Sequence, residues 1–176
     1  MQINIRRQLT LFLDQADAGT IEHIRNQFNP RQSELIKSHV TLCREKEIGN
    51  IERVLGNLIR LEEIEISIQF GPVIRFDEGK GVLIPGQGNN LRFQQLRARI
   101  LQGVIDRPEK HAPHITLMHP RNSCCTDDIF HQIAKMTLPQ RLIFQKISLI
   151  QQEENSPWEI IREFDLISDQ TKPFME

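Results

Sequence analysis

The sequence predicts an α+β fold made of two similar halves, on three observations. Stretches of two-residue alternation and stretches of three-and-four spacing succeed one another along the chain. Their order (strand, helix, strand, helix, then strands, helix, strand, helix, strands) comes close to repeating itself. The third observation is a matched pair of short strands, Ser38-His39-Val40-Thr41-Leu42 and Pro113-His114-Ile115-Thr116-Leu117, at equivalent places in the two halves.

Taken in order, Gln8 to Asp14 reads as a first strand, and Ile21, Ile24 and Phe28 follow at helical spacing until Asn29-Pro30 stops that helix. A second strand is expected over Leu35 to Cys43, where Val40 and Leu42 alternate with His39, Thr41 and Cys43. After Gly49, Ile51, Val54, Leu55, Leu58 and Leu61 form one face of a helix ending near Glu62. From Glu63 to Phe70 the alternation of Ile64, Ile66, Ile68 and Phe70 with polar residues marks a half-buried strand. Gly71-Pro72 and Asp-Glu-Gly-Lys-Gly then turn the chain through Val73 to Phe76 and Val82 to Ile84 as a meander. Pro85 to Asn90 is the most loop-like stretch and the expected junction between halves. Phe93, Leu96, Ile100, Leu101 and Val104 share a helix face, and His114 to Met118 is a strand. Asp127-Asp128 opens a helix through Ile129, Ile133 and Met136, with acids at the end the helix dipole favours. Strands near Leu142 to Gln151 and Trp158 to Ile167 complete a domain expected to span residues 1–168, and residues 169–176 read as a tail.

Composition narrows the class of protein. The 176 residues are 39% apolar and 26% charged with 9 Gly and 9 Pro, which suits a packed core and not a disordered or collagen-like chain. Basic and acidic side chains nearly cancel to a net charge of -1, so charge alone does not mark a protein that coats nucleic acid. The apolar run near the start is broken by Thr10 and ended by Asp14, too short for a secretion signal or a membrane span. Cys43, Cys124 and Cys125 are odd in number and lack Cys-x-x-Cys spacing, which speaks against a disulfide framework or a cysteine zinc site and for a reducing cytoplasm.

The chemistry is carried by the two matched strands. Residues i and i+2 of a strand face the same way, so His39 lies with Thr41, and His114 with Thr116, while Val40, Leu42, Ile115 and Leu117 point oppositely. If the halves pack about a pseudo-two-fold axis, two imidazoles and two hydroxyls meet across one cleft. That set suits in-line displacement at phosphorus. One histidine takes a proton from the attacking oxygen, the other gives one to the leaving oxygen, and the threonines donate to the non-bridging oxygens. Such a reaction requires no metal.

His-Val-Thr-Leu and Pro-His-Ile-Thr-Leu resemble the paired signature of the two-histidine (2H) phosphoesterase superfamily, which includes the 2′-5′ RNA ligase-like proteins and cyclic nucleotide phosphodiesterases. The resemblance extends over about Gln8 to Ile167. It implies a bilobal fold of antiparallel sheets backed by helices, with both motifs facing a central cleft, His39 and His114 as the acid-base pair and Thr41 and Thr116 as phosphate-holding hydroxyls. It also implies a cofactor-free enzyme that opens a 2′,3′-cyclic or related phosphate on a nucleotide or RNA end, with 2′-5′ RNA ligation as the reverse reaction. The contrasting expectation is a nucleotide- or RNA-end-binding module whose cleft holds phosphate without turnover. Either would be a monomer with no membrane association.

Other constellations carry less. His111, His114 and His119 fall within nine residues, but Pro113 intervenes and His119 is expected on the opposite face from His114, a poor zinc geometry. Gly86-Gln87-Gly88 lacks the remaining elements of a phosphate loop and reads as a turn. Arg92, Arg97, Arg99, Arg107 and Lys110 read as a solvated helix face that could steer a polyanion toward the cleft. Arg44 and Arg121 follow the two motif strands and are within reach of a phosphate. The chain has no tyrosine, so stacking on a base falls to Phe12, Phe76 or Trp158.

Overall fold

Alternation sets the first strand: β1 (Ile5–Phe12) buries Leu9 and Leu11 on one face and turns Arg6, Gln8 and Thr10 to the other. The structure, a computed structural model, describes residues 4–168; the expected C-terminal tail lies outside the described residues. After β1 come α1 (Gln15–Phe28), α2 (Pro30–Leu35), β2 (His39–Cys43), α3 (Ile51–Ile59), β3 (Ile66–Gln69), β4 (Ile74–Phe76) and β5 (Gly81–Pro85). The order continues with α4 (Leu91–Ile100), β6 (His114–Met118), α5 (Asp127–Ala134), β7 (Arg141–Phe144), β8 (Lys146–Glu153) and β9 (Glu159–Asp165). A short 3-10 turn, Glu45–Glu47, follows β2.

Seven strands form one antiparallel sheet in the order β4-β5-β6-β2-β1-β8-β9, and β3 pairs with β7 in a separate ribbon. The α+β, two-lobed architecture expected from the sequence is present, but the lobes are not the two halves of the sequence. One joins β1 and β2 to the late strands β8 and β9, and the other joins β4 and β5 to β6. They meet where β2 touches β6, through Val40 opposite Ile115. Leu9, Leu11, Val40, Leu42, Ile115 and Leu117 on the apolar face share one core with Ile21 and Ile24 of α1, Val54 and Leu58 of α3, and Phe93 and Leu96 of α4. This leaves the opposite face of the central strands to polar residues.

Several boundaries differ from the sequence expectation for identifiable reasons. Residues through Leu35 are helical and not part of the second strand, because Pro30 occupies the first position of α2, where a missing N–H has no partner to lose. The helix expected to end near Glu62 stops at Ile59, and Val104 lies beyond α4. The strand Glu63 to Phe70 narrows to β3, with Ile64 in an isolated bridge to Ile167. The single strand expected over Leu142 to Gln151 is two, divided at Gln145: β7 pairs with β3, and β8 crosses to lie between β1 and β9. Side-chain caps hold α3 and α5, where Asn50 accepts from the Arg53 N–H and Thr126 from that of Ile129.

Candidate active site

β2 and β6 are central neighbours, and their single registered pair lies at the middle residue of each motif. Carrying that antiparallel register one residue each way puts His39 beside Thr116 and Thr41 beside His114. Val40 and Ile115 are wholly buried on the core side, so the four motif side chains share the opposite face. The histidines are thus diagonal partners, a relation that in a regular antiparallel pair separates Cβ atoms by about 7–8 Å. All four line one cavity of about 450 Å³.

Both rings are held in the same way. The Nδ1 of His39 is 2.7 Å from the Lys37 carbonyl and that of His114 is 3.0 Å from the Ala112 carbonyl, in each case the residue two earlier. A carbonyl only accepts, so Nδ1 carries the proton and Nε2 of each ring is left for the cleft. The approach to β2 is tied down from α1, where Glu22 accepts from the Ser38 N–H at 2.5 Å and Arg25 donates to the Ile36 carbonyl at 2.7 Å. The approach to β6 runs through Pro113, which favours an extended residue before it. Burial pushes the His39 imidazolium down to about 4, against the Lys37 hydrogen bond, with Arg25 and His114 adding to the fall. His39 is therefore neutral near pH 7 and presents an unprotonated Nε2.

Neighbouring strands extend this polar face. Thr10 is opposite Thr41 and accepts from the Gln8 amide at 3.1 Å, and Phe12 sets its ring edge-on to His39 at 6.0 Å between centroids. Around the cavity stand Arg6, Arg25, Arg31 and Arg121, with Trp158 at one side. Arg6 is shared: it pairs with Glu45 at 2.9 Å, donates to Gln152 at 3.2 Å and lies 5.4 Å from the Trp158 ring centroid. A groove continues past the histidines, lined by Arg44, Glu45, Lys46, His111, His119 and Arg121.

The structure sorts the sequence candidates. His39, Thr41, His114 and Thr116 come together; Trp158 and Phe12 stand beside them, whereas Phe76 packs its ring against Gly81 away from the cavity. Arg121 lines the cavity and the groove, and Arg44 the groove. Strand alternation would turn His119 away, but β6 ends at Met118, and the turn brings His119 back to the cavity, where its Nδ1 accepts from the Arg121 N–H at 3.1 Å. Burial and the Arg121 charge lower its pKa. Arg97 is buried rather than on a solvated face, and Arg99 pairs with Glu63, so neither supplies charge to the cleft. Among the described residues no three His, Cys, Asp or Glu side chains gather as metal ligands would.

Sequence reasoning missed Arg6, Gln8, Arg31 and the structural role of His111. Arg6 and Gln8 carry a usable signal, since they alternate with the buried face of β1. Arg31 carries a weaker one, because Asn29-Pro30, read as a helix stop, is equally the start of a new helix.

The fold is that of the two-histidine phosphoesterase class. The family model for the 2′-5′ RNA ligase superfamily matches residues 13–156, and the chain belongs to that superfamily. A comparison with curated proteins finds no significant match. Among solved structures, E. coli LigT complexed with 3′-AMP superposes with a TM-score of 0.65 at 13% identity, covering 94% of this chain and 99% of that one. A structure described as a phosphoesterase gives 0.61 at 14%, covering 93% and 99%. A protein from Thermus thermophilus gives 0.54 at 15%, with the same coverage. At these identities the likeness concerns the fold.

Proposed function

We propose that the chain is a phosphodiesterase that opens 2′,3′-cyclic phosphates on nucleotides or RNA ends by two-histidine acid-base catalysis. The observation that carries this reading is the shared tethering of His39 and His114 by carbonyls, which aims two Nε2 atoms at one cavity beside two threonine hydroxyls. His39, kept neutral by burial, is the base: its Nε2 takes a proton from water as the water oxygen bonds to phosphorus. His114 in its protonated form is the acid, giving its Nε2 proton to the ribose oxygen whose bond to phosphorus breaks. Thr41 and Thr116 donate to the non-bridging oxygens as charge builds there. If phosphorus stays on O2′, as 2′-5′ ligation by the reverse route requires, hydrolysis yields a 2′-phosphate. Trp158 offers the base a stacking face. That E. coli LigT has been crystallised with 3′-AMP and with ATP supports a nucleotide in such a cleft.

The test is turnover of the four 2′,3′-cyclic nucleotides and of a short RNA ending in a 2′,3′-cyclic phosphate, with excess chelator, for wild type, His39→Ala and His114→Ala. Each substitution should lower kcat by about 10²–10⁴-fold. Binding without turnover in the wild type would instead assign the cleft to a non-catalytic nucleotide-binding module.

A further inference from the structure

Past the histidines, the groove carries the guanidinium of Arg44 along with those of Arg6 and Arg121. Arg44 directly follows β2, and its Nη2 lies 2.8 Å from Nδ1 of His111. A guanidinium can only donate, so Nδ1 accepts, and the ring proton sits on Nε2, which donates to the Thr41 carbonyl at 3.1 Å. His111 is buried, edge-on to His114 at 5.6 Å between centroids. It bridges the backbone of the first motif to Arg44 while packing on the second.

This holder is neutral. Burial, with Arg44 and Arg97 beside it, pushes the His111 imidazolium down to about 4. The nearest acid is committed elsewhere: the Glu47 carboxylate takes two hydrogen bonds from buried Arg97, at 2.7 and 3.2 Å, and the Arg44 backbone N–H at 2.7 Å. No carboxylate among the described residues pairs with the Arg44 guanidinium, whereas Arg6 has Glu45 and Lys46 has Glu109 at 3.9 Å. Arg44 is therefore an exposed cation on the groove wall, held at one Nη and without a carboxylate partner among the described residues. It lines that groove and not the inner cavity, while His114, Thr41 and Arg121 line both. A phosphate at the histidines and an anion at Arg44 would occupy adjoining places on one track.

We propose that Arg44, held by His111, is the subsite for the internucleotide phosphate next to the reacting one, so that the substrate is an RNA chain ending in a cyclic phosphate and not a free mononucleotide. This inference rests on the phosphodiesterase reading above. An adjoining nucleotide adds one phosphodiester charge, and a fixed guanidinium takes it by two charge-assisted hydrogen bonds.

The experiment compares two dinucleotides that end in a 2′,3′-cyclic phosphate, one with a natural internucleotide phosphodiester and one with an uncharged methylphosphonate. The ratio of their kcat/KM values isolates the second charge. Wild type should favour the natural linkage by about tenfold, and Arg44→Gln should bring the ratio close to one. His111→Phe, which keeps the ring packing and removes the acceptor, should lower the ratio in the same sense. The slope of log kcat/KM against log salt should become shallower by about 0.7 in Arg44→Gln. A wild-type ratio near one, or a ratio unchanged in Arg44→Gln, overturns the subsite. Equilibrium binding of the matching dinucleotides ending in a 2′-phosphate is measured in parallel. If the wild type turns over neither substrate, the phosphodiesterase reading fails, and the binding ratio alone then decides whether Arg44 holds the second phosphate.

Discussion

His39 and His111 are both imidazoles kept neutral by their surroundings, for different purposes. Burial dominates in each, but His39 leaves Nε2 to the cleft, while both nitrogens of His111 are engaged by protein groups. Their lowered values carry a thermodynamic consequence. In the unfolded chain both rings titrate near the ordinary value of about 6.5. Between that value and about 4 the unfolded state therefore binds more protons than the folded one, and stability falls as pH drops through this window. The midpoint of thermal unfolding should rise from pH 4 to pH 6.5 and then flatten. In His111→Phe the rise should be smaller; an unchanged slope would mean that His111 does not titrate with folding. At this scale the residues proposed for catalysis were legible, because the same His-x-Thr-Leu pattern occurs twice with a β-branched residue in the middle. Arg44 was legible only as a cation near a motif, since its neutral holder lies 67 residues away in sequence.

The elements owe their positions to contacts that local sequence does not announce. The loop after β5 passes so close to the entry of β6 that a Cβ on Gly86 would lie 2.7 Å from Pro113 Cγ and 2.9 Å from its carbonyl oxygen. Gly86→Ala should cost about 1–3 kcal/mol, measured by denaturant unfolding, and should reduce turnover as well, because the displaced residue immediately precedes His114. Behind β2, Arg97 of α4 donates to the Leu42 carbonyl and pairs with Glu47 in a buried site. Burial pushes the Glu47 carboxyl up, but the Arg97 hydrogen bonds and the Arg44 N–H outweigh it and hold the group below its usual range. Glu47→Gln leaves the Arg97 charge buried without its partner and should cost about 3–5 kcal/mol in the same assay. From sequence, the strongly periodic elements were found with small errors at their ends. The division of β7 from β8 at Gln145 was not found, because an alternating run carries no mark of which partner each part will choose.

At the scale of the whole molecule, the two lobes exchange strands between early and late segments of the chain and join through Val40 and Ile115. The repeat in the sequence pointed to two halves; long-range pairing of β1 with β8 and of β3 with β7 knits those halves together. Unfolding should therefore be one cooperative transition, with circular dichroism and Trp158 fluorescence giving coincident curves. Two separated transitions would show lobes that fold independently. The interleaving also explains why both motifs lie on central strands, where the sheet holds them most firmly. The central claim, a buried neutral histidine acting as base on those strands, is tested most directly by the pH dependence of kcat/KM for a 2′,3′-cyclic phosphate, with activity checked for recovery on return to pH 7. The account predicts a rate that falls away on the acid side near pH 4, as His39 gains its proton. A profile that stays flat across that range would contradict it.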